Sequence, residues 1–168
     1  GKFIEGNISK WTKEAKLLIK SKIKKNTKLV FIGSSMGSWI ALNLFQSFKK
    51  QIKGFIGISS APEFLEELMW KKFSKKIKKI IITNKIYNFE HSGFSYPITK
   101  QLIFDSKKNK ILNNKINLNI PIVLFHGLKD KVVPLKFSRK ILKTCKKSKK
   151  KFIKIKNGDH SLSRKSDL

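Results

Sequence analysis

The segment between residues 28 and 59 constrains the fold of this chain more than any other part. Residues 29–32 are all apolar and predict a buried strand over residues 28–32 that ends at Gly33. Residues 36–49 carry apolar side chains at helical spacing, and residues 53–59 predict a second strand. A strand, a helix and a strand in this order are typical of a mostly parallel sheet flanked by helices. We therefore expect an α/β fold.

The rest of the chain extends the same alternation. Ser9 is the expected cap of a helix that runs to about Lys25. Strands are predicted at residues 121–125 and 151–155, with a helix over residues 134–144 between them. The expected inner face of the first helix consists of Trp11, Ala15, Leu18 and Ile19. Together these elements predict one partial α/β domain over residues 1–168.

Residues 62–109 interrupt the alternation, and we expect them to form a small cap-like insertion. Helices are predicted from Pro62 to Trp70 and from Thr99 to about Lys107. Between them, residues 75–83 favour a very basic helix or strand, and residues 87–97 favour an aromatic loop.

The net charge of +29 is the most unusual feature of the composition. Such a charge could reflect binding to nucleic acid or to an anionic membrane surface. Of the 39 basic residues, however, only Arg139 and Arg164 are arginine, the side chain that is favoured for gripping phosphates. The lysines are also spread along the whole chain. We therefore attribute the charge to codon bias and predict no specific nucleic-acid partner.

Cysteine content and hydropathy bear on the location of the protein. Cys145 is the only cysteine, which excludes a disulfide framework and fits a reducing compartment, so we expect a cytoplasmic protein. The sequence contains no run of 18 apolar residues, and no transmembrane segment is predicted.

Residues 33–37, Gly-Ser-Ser-Met-Gly, form a G-x-S-x-G motif between the predicted strand and helix. This context is that of a nucleophile elbow, in which a serine projects from a sharp turn and flanking glycines avoid clashes. The helix N-terminus would stabilise negative charge beside it. Ser35 is the candidate nucleophile, and the backbone N–H of Met36 is a candidate oxyanion donor. Ser34 is the neighbouring alternative, but only Ser35 satisfies the motif.

A serine nucleophile needs a base and an acid, which in this kind of elbow site follow in the order acid, then histidine. Asp130 lies just past the predicted strand at residues 121–125, where catalytic groups gather in α/β sheets. His160 lies in the loop after the last strand. Asp130 could instead cap a turn, and His160 could be an ordinary surface histidine. The order nonetheless predicts a Ser35–His160–Asp130 triad.

The remaining histidines and acids fit this chemistry less well. His126 is expected to be a structural residue at a strand end, and His91 precedes the acid, which is the wrong order. The rival acids are Asp159 and Asp105. Asp159 is adjacent to His160 in sequence, so its carboxylate is expected to point elsewhere.

Six segments resemble bacterial α/β-hydrolases related to the mitochondrial palmitoyl-protein thioesterase and acyl-glucuronide esterase. They are residues 3–11, 33–39, 61–64, 96–99, 126–134 and 159–164. The resemblance covers nearly the whole chain in order. It implies the α/β-hydrolase fold and serine esterase or thioesterase activity on small-molecule or acyl-protein substrates, without a cofactor or metal. The match at Ser35, Asp130 and His160 carries the triad over.

The sequence departs from these relatives in two ways. Ser38 stands where they usually have a second glycine, and we expect it to be tolerated because serine is small. The relatives also have strands before the segment that matches Gly1 and a helix after the segment that matches Leu168. We therefore expect a truncated sequence that lacks the loop carrying the second oxyanion donor.

Three hypotheses about function stay open. The first is an acyl ester or thioester hydrolase, the second a basic non-catalytic module for acidic partners, and the third a fragment without independent activity. Large apolar side chains of the insertion could line an acyl pocket or pack the insertion's own core. They are Phe64, Leu68, Met69, Trp70, Tyr87, Phe89, Phe94 and Tyr96.

Overall fold

The computed structural model describes residues 2–91, 94–113, 116 and 119–167. Within these residues, four parallel strands form the main sheet, in the spatial order β1-β2-β5-β6: β1 (Leu29–Ser34), β2 (Ile52–Ile58), β5 (Ile122–Gly127) and β6 (Lys150–Ile155). Strands β3 (Ile86–His91) and β4 (Phe94–Thr99) form a separate antiparallel hairpin. The helices are α1 (Ile8–Lys22), α2 (Met36–Leu44), α3 (Lys75–Asn84), α4 (Lys100–Lys108) and α5 (Lys136–Thr144).

The register of the main sheet brings the carboxyl ends of its strands to one edge. Ser34 pairs with Ile58, which in turn pairs with Phe125, and Gly127 pairs with Ile155. Because the strands are parallel, the loops after β1, β5 and β6 leave the sheet on the same side. The fold thereby brings together segments that are more than a hundred residues apart in sequence.

Helix α1 begins earlier and ends earlier than the sequence predicted. Its cap is Asn7, whose side chain accepts a hydrogen bond of 2.8 Å from the Lys10 N–H, so the expected capping role of Ser9 is wrong. Leu18, expected on the inner face, is 61% exposed. The buried stripe passes through Ile8 and Ala15 instead, and at 3.6 residues per turn Leu18 falls outside it.

Strand β1 is buried on one face only. Phe31 packs in the core, whereas Val30 and Ile32 are 57% and 66% exposed. Within the described part of the chain β1 pairs only with β2, so it forms an edge of the sheet. The prediction of a buried strand is therefore wrong for its outer face, because an apolar run alone does not show whether both faces are covered.

The insertion folds as a compact cap on α2. A π-helical segment, Leu65–Trp70, leads to α3, and the Thr99 side chain caps α4 as expected, accepting from the Leu102 N–H at 3.1 Å. The predicted aromatic loop is instead the β3–β4 hairpin, in accordance with the strand preference of Tyr and Phe. Trp39 of α2 is fully buried beneath the cap and donates to the Asn109 carbonyl at 2.8 Å.

None of the helices in the described ranges is both long and apolar enough to cross a bilayer.

Candidate active site

The turn between β1 and α2 holds Ser35 in a strained backbone conformation, with φ 49° and ψ −120°. Such a conformation is rare for a residue with a side chain and is typical of a nucleophile elbow. The Ser35 N–H donates to the Ile58 carbonyl at 2.9 Å, which ties the turn to β2. A Cβ on Gly33 would lie 2.6 Å from the Ser38 Cα, so glycine is required there. A Cβ on Gly37 would meet no described atom within 4 Å, so the expected steric need for this second glycine is wrong.

The Ser38 side chain stabilises the turn by hydrogen bonds. Its hydroxyl is buried, donates to the Gly33 carbonyl at 2.5 Å and accepts from the Ser60 hydroxyl at 2.9 Å. The serine is therefore accommodated, as expected, and it also forms hydrogen bonds that a glycine could not make.

Three side chains meet at the carboxyl edge of the sheet. His160 Nε2 lies 3.1 Å from Ser35 Oγ, and His160 Nδ1 lies 2.9 Å from Asp130 Oδ2. The Asp130 side chain is 1% exposed and that of His160 is 24% exposed, so the pair is shielded while the histidine stays accessible. The structure thus brings together the nucleophile, base and acid candidates that the sequence predicted.

Asp130 is held as an anion by the groups around it. Burial alone would raise the pKa of its carboxyl group, but hydrogen bonds from His126, His160 and the Val133 N–H lower that pKa well below its usual range. Oδ1 accepts from the N–H groups of Val132 and Val133, both at 2.8 Å. An ionised carboxylate only accepts hydrogen bonds, so His160 must carry its proton on Nδ1 and present a free lone pair to Ser35.

His126 is one of the groups around the Asp130 carboxylate, and the sequence did not indicate this contact. The prediction placed it as a structural residue at a strand end, and it does lie fully buried near the end of β5. Its Nε2, however, is 3.3 Å from Asp130 Oδ2. The spacing of four residues across a loop gives no periodic signal by which this contact could have been found.

The rival groups lie elsewhere or serve other contacts. Asp159 Oδ1 accepts from the N–H groups of Ser161 and Leu162, both at 3.0 Å, and so shapes the turn after His160. Asp105 Oδ2 accepts from the N–H of Ser9 in α1 at 2.8 Å. Burial raises the pKa of the Cys145 thiol to about 11, which makes it a poor nucleophile. The His91 side chain lies outside the described part.

Met36 is the first residue of α2, directly after Ser35. The first N–H groups of a helix have no acceptor within the helix, so the Met36 N–H makes no intrahelical hydrogen bond. Its position supports the candidate role as an oxyanion donor.

The large apolar residues of the cap mostly pack against one another. Five of the eight predicted pocket residues belong to the cluster around Trp39, Leu65 and Ile81: Phe64, Met69, Trp70, Tyr87 and Phe89. Leu68 packs against the cluster of Ala61, Val133 and Phe137, and Tyr96 is 43% exposed. The Phe94 side chain lies outside the described part. These contacts favour the cap-core alternative over a pocket lining.

Among the described residues there is no group of three or more His, Cys, Asp or Glu side chains placed to hold an ion.

Comparisons with known proteins identify the family of this chain. Residues 5–167 match the family described as serine hydrolase (FSH1). The chain is 23% identical over 168 residues to the human mitochondrial palmitoyl-protein thioesterase ABHD10, which covers 98% of this chain and 54% of that protein. It is 26% identical over 175 residues to the rat protein of the same name, covering all of this chain and 57% of that one. The chain thus spans about half the length of these relatives.

Solved structures show the same fold. A candidate hydrolase from Agrobacterium vitis S4 superposes with a TM-score of 0.91 at 28% identity, over 99% of this chain and 66% of that one. The mouse alpha/beta hydrolase domain-containing protein 10 superposes with a TM-score of 0.86 at 22% identity, over 99% and 67%. The parallel sheet described above is accordingly the α/β-hydrolase sheet, as the sequence led us to expect. With a match that extends over nearly its whole length, the chain belongs to the FSH1 family of serine hydrolases.

Proposed function

We propose that this chain carries the nucleophile, base and acid of a serine hydrolase that cleaves carboxylic acyl esters or thioesters through an acyl-enzyme on Ser35. The observation that supports this most directly is the continuous hydrogen-bond chain from Ser35 Oγ through His160 to Asp130, with distances of 3.1 and 2.9 Å. Such a chain is what activates a serine in enzymes of this chemistry.

The first step forms a tetrahedral intermediate on Ser35. Ser35 Oγ attacks the carbonyl carbon of the substrate while its proton moves to His160 Nε2. Asp130 accepts the hydrogen bond from Nδ1 and stabilises the imidazolium that forms. The oxyanion of the tetrahedral intermediate is stabilised by the Met36 N–H at the start of α2, where the helix dipole adds to the effect.

Collapse of this intermediate forms the acyl-enzyme, and hydrolysis of the acyl-enzyme then releases the acid. The C–O or C–S bond to the leaving group breaks, and the proton on His160 Nε2 passes to the departing alcohol or thiol. A water molecule then attacks the acyl carbon and gives its proton to the same nitrogen. The bond between the acyl carbon and Ser35 Oγ breaks, the proton passes from His160 Nε2 back to Oγ, and the carboxylic acid leaves. The named relatives are thioesterases, which supports a thioester as one substrate class.

The proposal is tested by covalent labelling with a fluorophosphonate probe, located by peptide mass spectrometry. We expect label on Ser35 that disappears in Ser35→Ala and His160→Ala. Ser34→Ala is the matched control, because it removes the adjacent serine, and it should keep the label. A folded chain that takes no label on Ser35 would contradict the proposal. Active protein would then be compared on an acyl ester and the corresponding acyl thioester.

We propose that the excess of lysine reflects codon bias, with no specific nucleic-acid partner, and that the protein is cytoplasmic. Tight, strongly salt-dependent binding to an oligonucleotide by a chain that fails to label would favour the basic-module alternative instead. Cell fractionation tests the location.

A further inference from the structure

His126 is a fully buried histidine that the proposed mechanism does not use. Its ring has a polar neighbour on each nitrogen. Nδ1 lies 2.8 Å from the hydroxyl of Ser138, which is itself fully buried on α5. Nε2 lies 2.9 Å from the Val133 carbonyl and 3.3 Å from Asp130 Oδ2. A buried polar ring with all of its hydrogen-bonding capacity engaged is held in one orientation.

The neighbours of Nε2 determine where the ring carries its proton. A carbonyl oxygen and an ionised carboxylate oxygen only accept hydrogen bonds, so Nε2 must be the protonated nitrogen. In the neutral ring, Nδ1 is then an acceptor, and the Ser138 hydroxyl is the donor that occupies it. Ser138 thereby keeps the Nε2–H directed toward Val133 and Asp130.

The Asp130 carboxylate receives a donor at each of its available positions. Oδ1 takes the N–H groups of Val132 and Val133, and Oδ2 takes His160 and the contact with His126. The Val133 carbonyl also accepts a hydrogen bond from His126. The Asp130 carboxylate, the His126 ring and the Val133 backbone therefore each contact the other two. A carboxylate with four donors cannot rotate without losing at least one of them.

We propose that His126 is a positioning residue of the candidate triad, which holds Asp130 Oδ2 against His160 from the side opposite the solvent. This inference rests on the proposed function for its catalytic consequence. Its structural content, the orientation of the Asp130–His160 pair, does not depend on substrate turnover.

The test compares a variant that keeps the ring volume with one that keeps the donor. His126→Phe removes both nitrogens, whereas His126→Gln places an amide N–H near the position of Nε2. Thr144→Val is the matched control on α5, because it deletes another buried hydrogen bond, from Thr144 Oγ1 to the Leu112 and Lys140 carbonyls at 3.0 Å. Circular dichroism and thermal melting establish which variants fold.

Two readouts separate positioning from packing. The first is the rate of fluorophosphonate labelling, which we expect to fall roughly 10- to 100-fold in His126→Phe, the range for a lost hydrogen bond to a charged group. The second is the NMR resonance of the His160 Nδ1 proton, which should broaden through faster solvent exchange in that variant. His126→Gln should restore both in large part, and Thr144→Val should change neither.

Unchanged labelling and an unchanged His160 resonance in folded His126→Phe would overturn the proposal and leave His126 as a packing residue. If His126→Phe does not fold, Ser138→Ala, which removes one oxygen and frees the ring to turn, must broaden the same resonance, and no change would overturn the proposal. A wild-type chain that never labels would count against the proposed function alone, because the resonance still reports on the pair.

Discussion

Gly127 and Gly158 bring the loop that carries Asp130 into direct backbone contact with the loop that carries His160. A Cβ on Gly127 would lie 2.2 Å from the Gly158 carbonyl oxygen, and one on Gly158 would lie 3.0 Å from the Gly127 Cα. Across the same junction the Lys129 N–H donates to the Gly158 carbonyl at 2.9 Å. The close approach of these two glycines, which have no reactive side chain, therefore sets the position of the acid candidate relative to the base candidate.

Replacing Gly127 by alanine is expected to damage the site more than the fold. The backbone of residues 158–159 must retreat from the new methyl group, at a cost of about 1–3 kcal/mol in the free energy of unfolding. A shift of His160 by roughly 1 Å would lower the fluorophosphonate labelling rate by about 100-fold. The measurements are urea unfolding and labelling kinetics on Gly127→Ala.

Gly54→Ala is the matched control for this prediction. Gly54 lies in β2 of the same sheet, and its added Cβ would come no closer than 3.6 Å to another atom, which is an ordinary contact. We expect labelling at the wild-type rate. Equal rates in both variants would show that the junction of the two loops tolerates displacement.

The hydroxyl groups of Ser38 and Ser60 are expected to stabilise the elbow as a pair. Ser38→Ala removes the bond to the Gly33 carbonyl and leaves a buried carbonyl without this donor. The free energy of unfolding should fall by about 1–2 kcal/mol. In a double-mutant cycle with Ser60→Ala, the two losses should be non-additive by about 1 kcal/mol, because each single variant already breaks their shared bond. Strictly additive losses in urea unfolding would contradict this.

The positions of the strands in the sequence determine how much of the site could be predicted. The elbow, Asp130 and His160 could be predicted to lie close together because each follows a strand that is visible in the sequence, and parallel strands end at a common edge. The role of His126 and the contact of Gly127 with Gly158 depend on how two loops pack after folding. No periodicity records such a contact, so these features required the structure.

Whether an interaction is local in sequence also explains which predictions of the fold were right and which were wrong. Thr99 was identified correctly as a cap because capping is a local interaction. The outer face of β1 and the burial of Leu18 depend on which elements lie opposite, and an apolar side chain has the same appearance in sequence whether it is covered or not. The β3–β4 hairpin was missed because its strand preference competes with a proline at position 97.

The exposed side chains of β1 are expected to limit the solubility of this chain. Val30 and Ile32 lie on an uncovered face of a strand that is an edge within the described residues. Exposed apolar edges promote association between molecules. Replacing both by threonine, which keeps the β-branch, should increase the fraction of monomer in size-exclusion chromatography. Val123→Thr, at a half-buried position on β5, is the control and should give no such gain.

Asp130→Asn is expected to change both activity and the pH dependence of stability. For activity, the amide presents an N–H to a site filled with donors and favours the wrong tautomer of His160. In serine proteases the corresponding change lowers the rate by about 10⁴-fold, and a loss of similar size is expected in labelling. Asp159→Asn is the matched control, because its remaining carbonyl oxygen can still accept from Ser161 and Leu162.

For stability, the sign follows from the lowered pKa of Asp130 in the folded chain. A carboxyl group whose pKa is lower when folded contributes stability above its unfolded value of 3.8, and this contribution is lost as the pH falls toward the folded value. The wild-type chain should therefore exceed Asp130→Asn in the free energy of unfolding at pH 7, and the difference should shrink below about pH 4. Urea unfolding at several pH values measures it. A difference that stays constant down to pH 2 would mean that the carboxylate is not held by its donors.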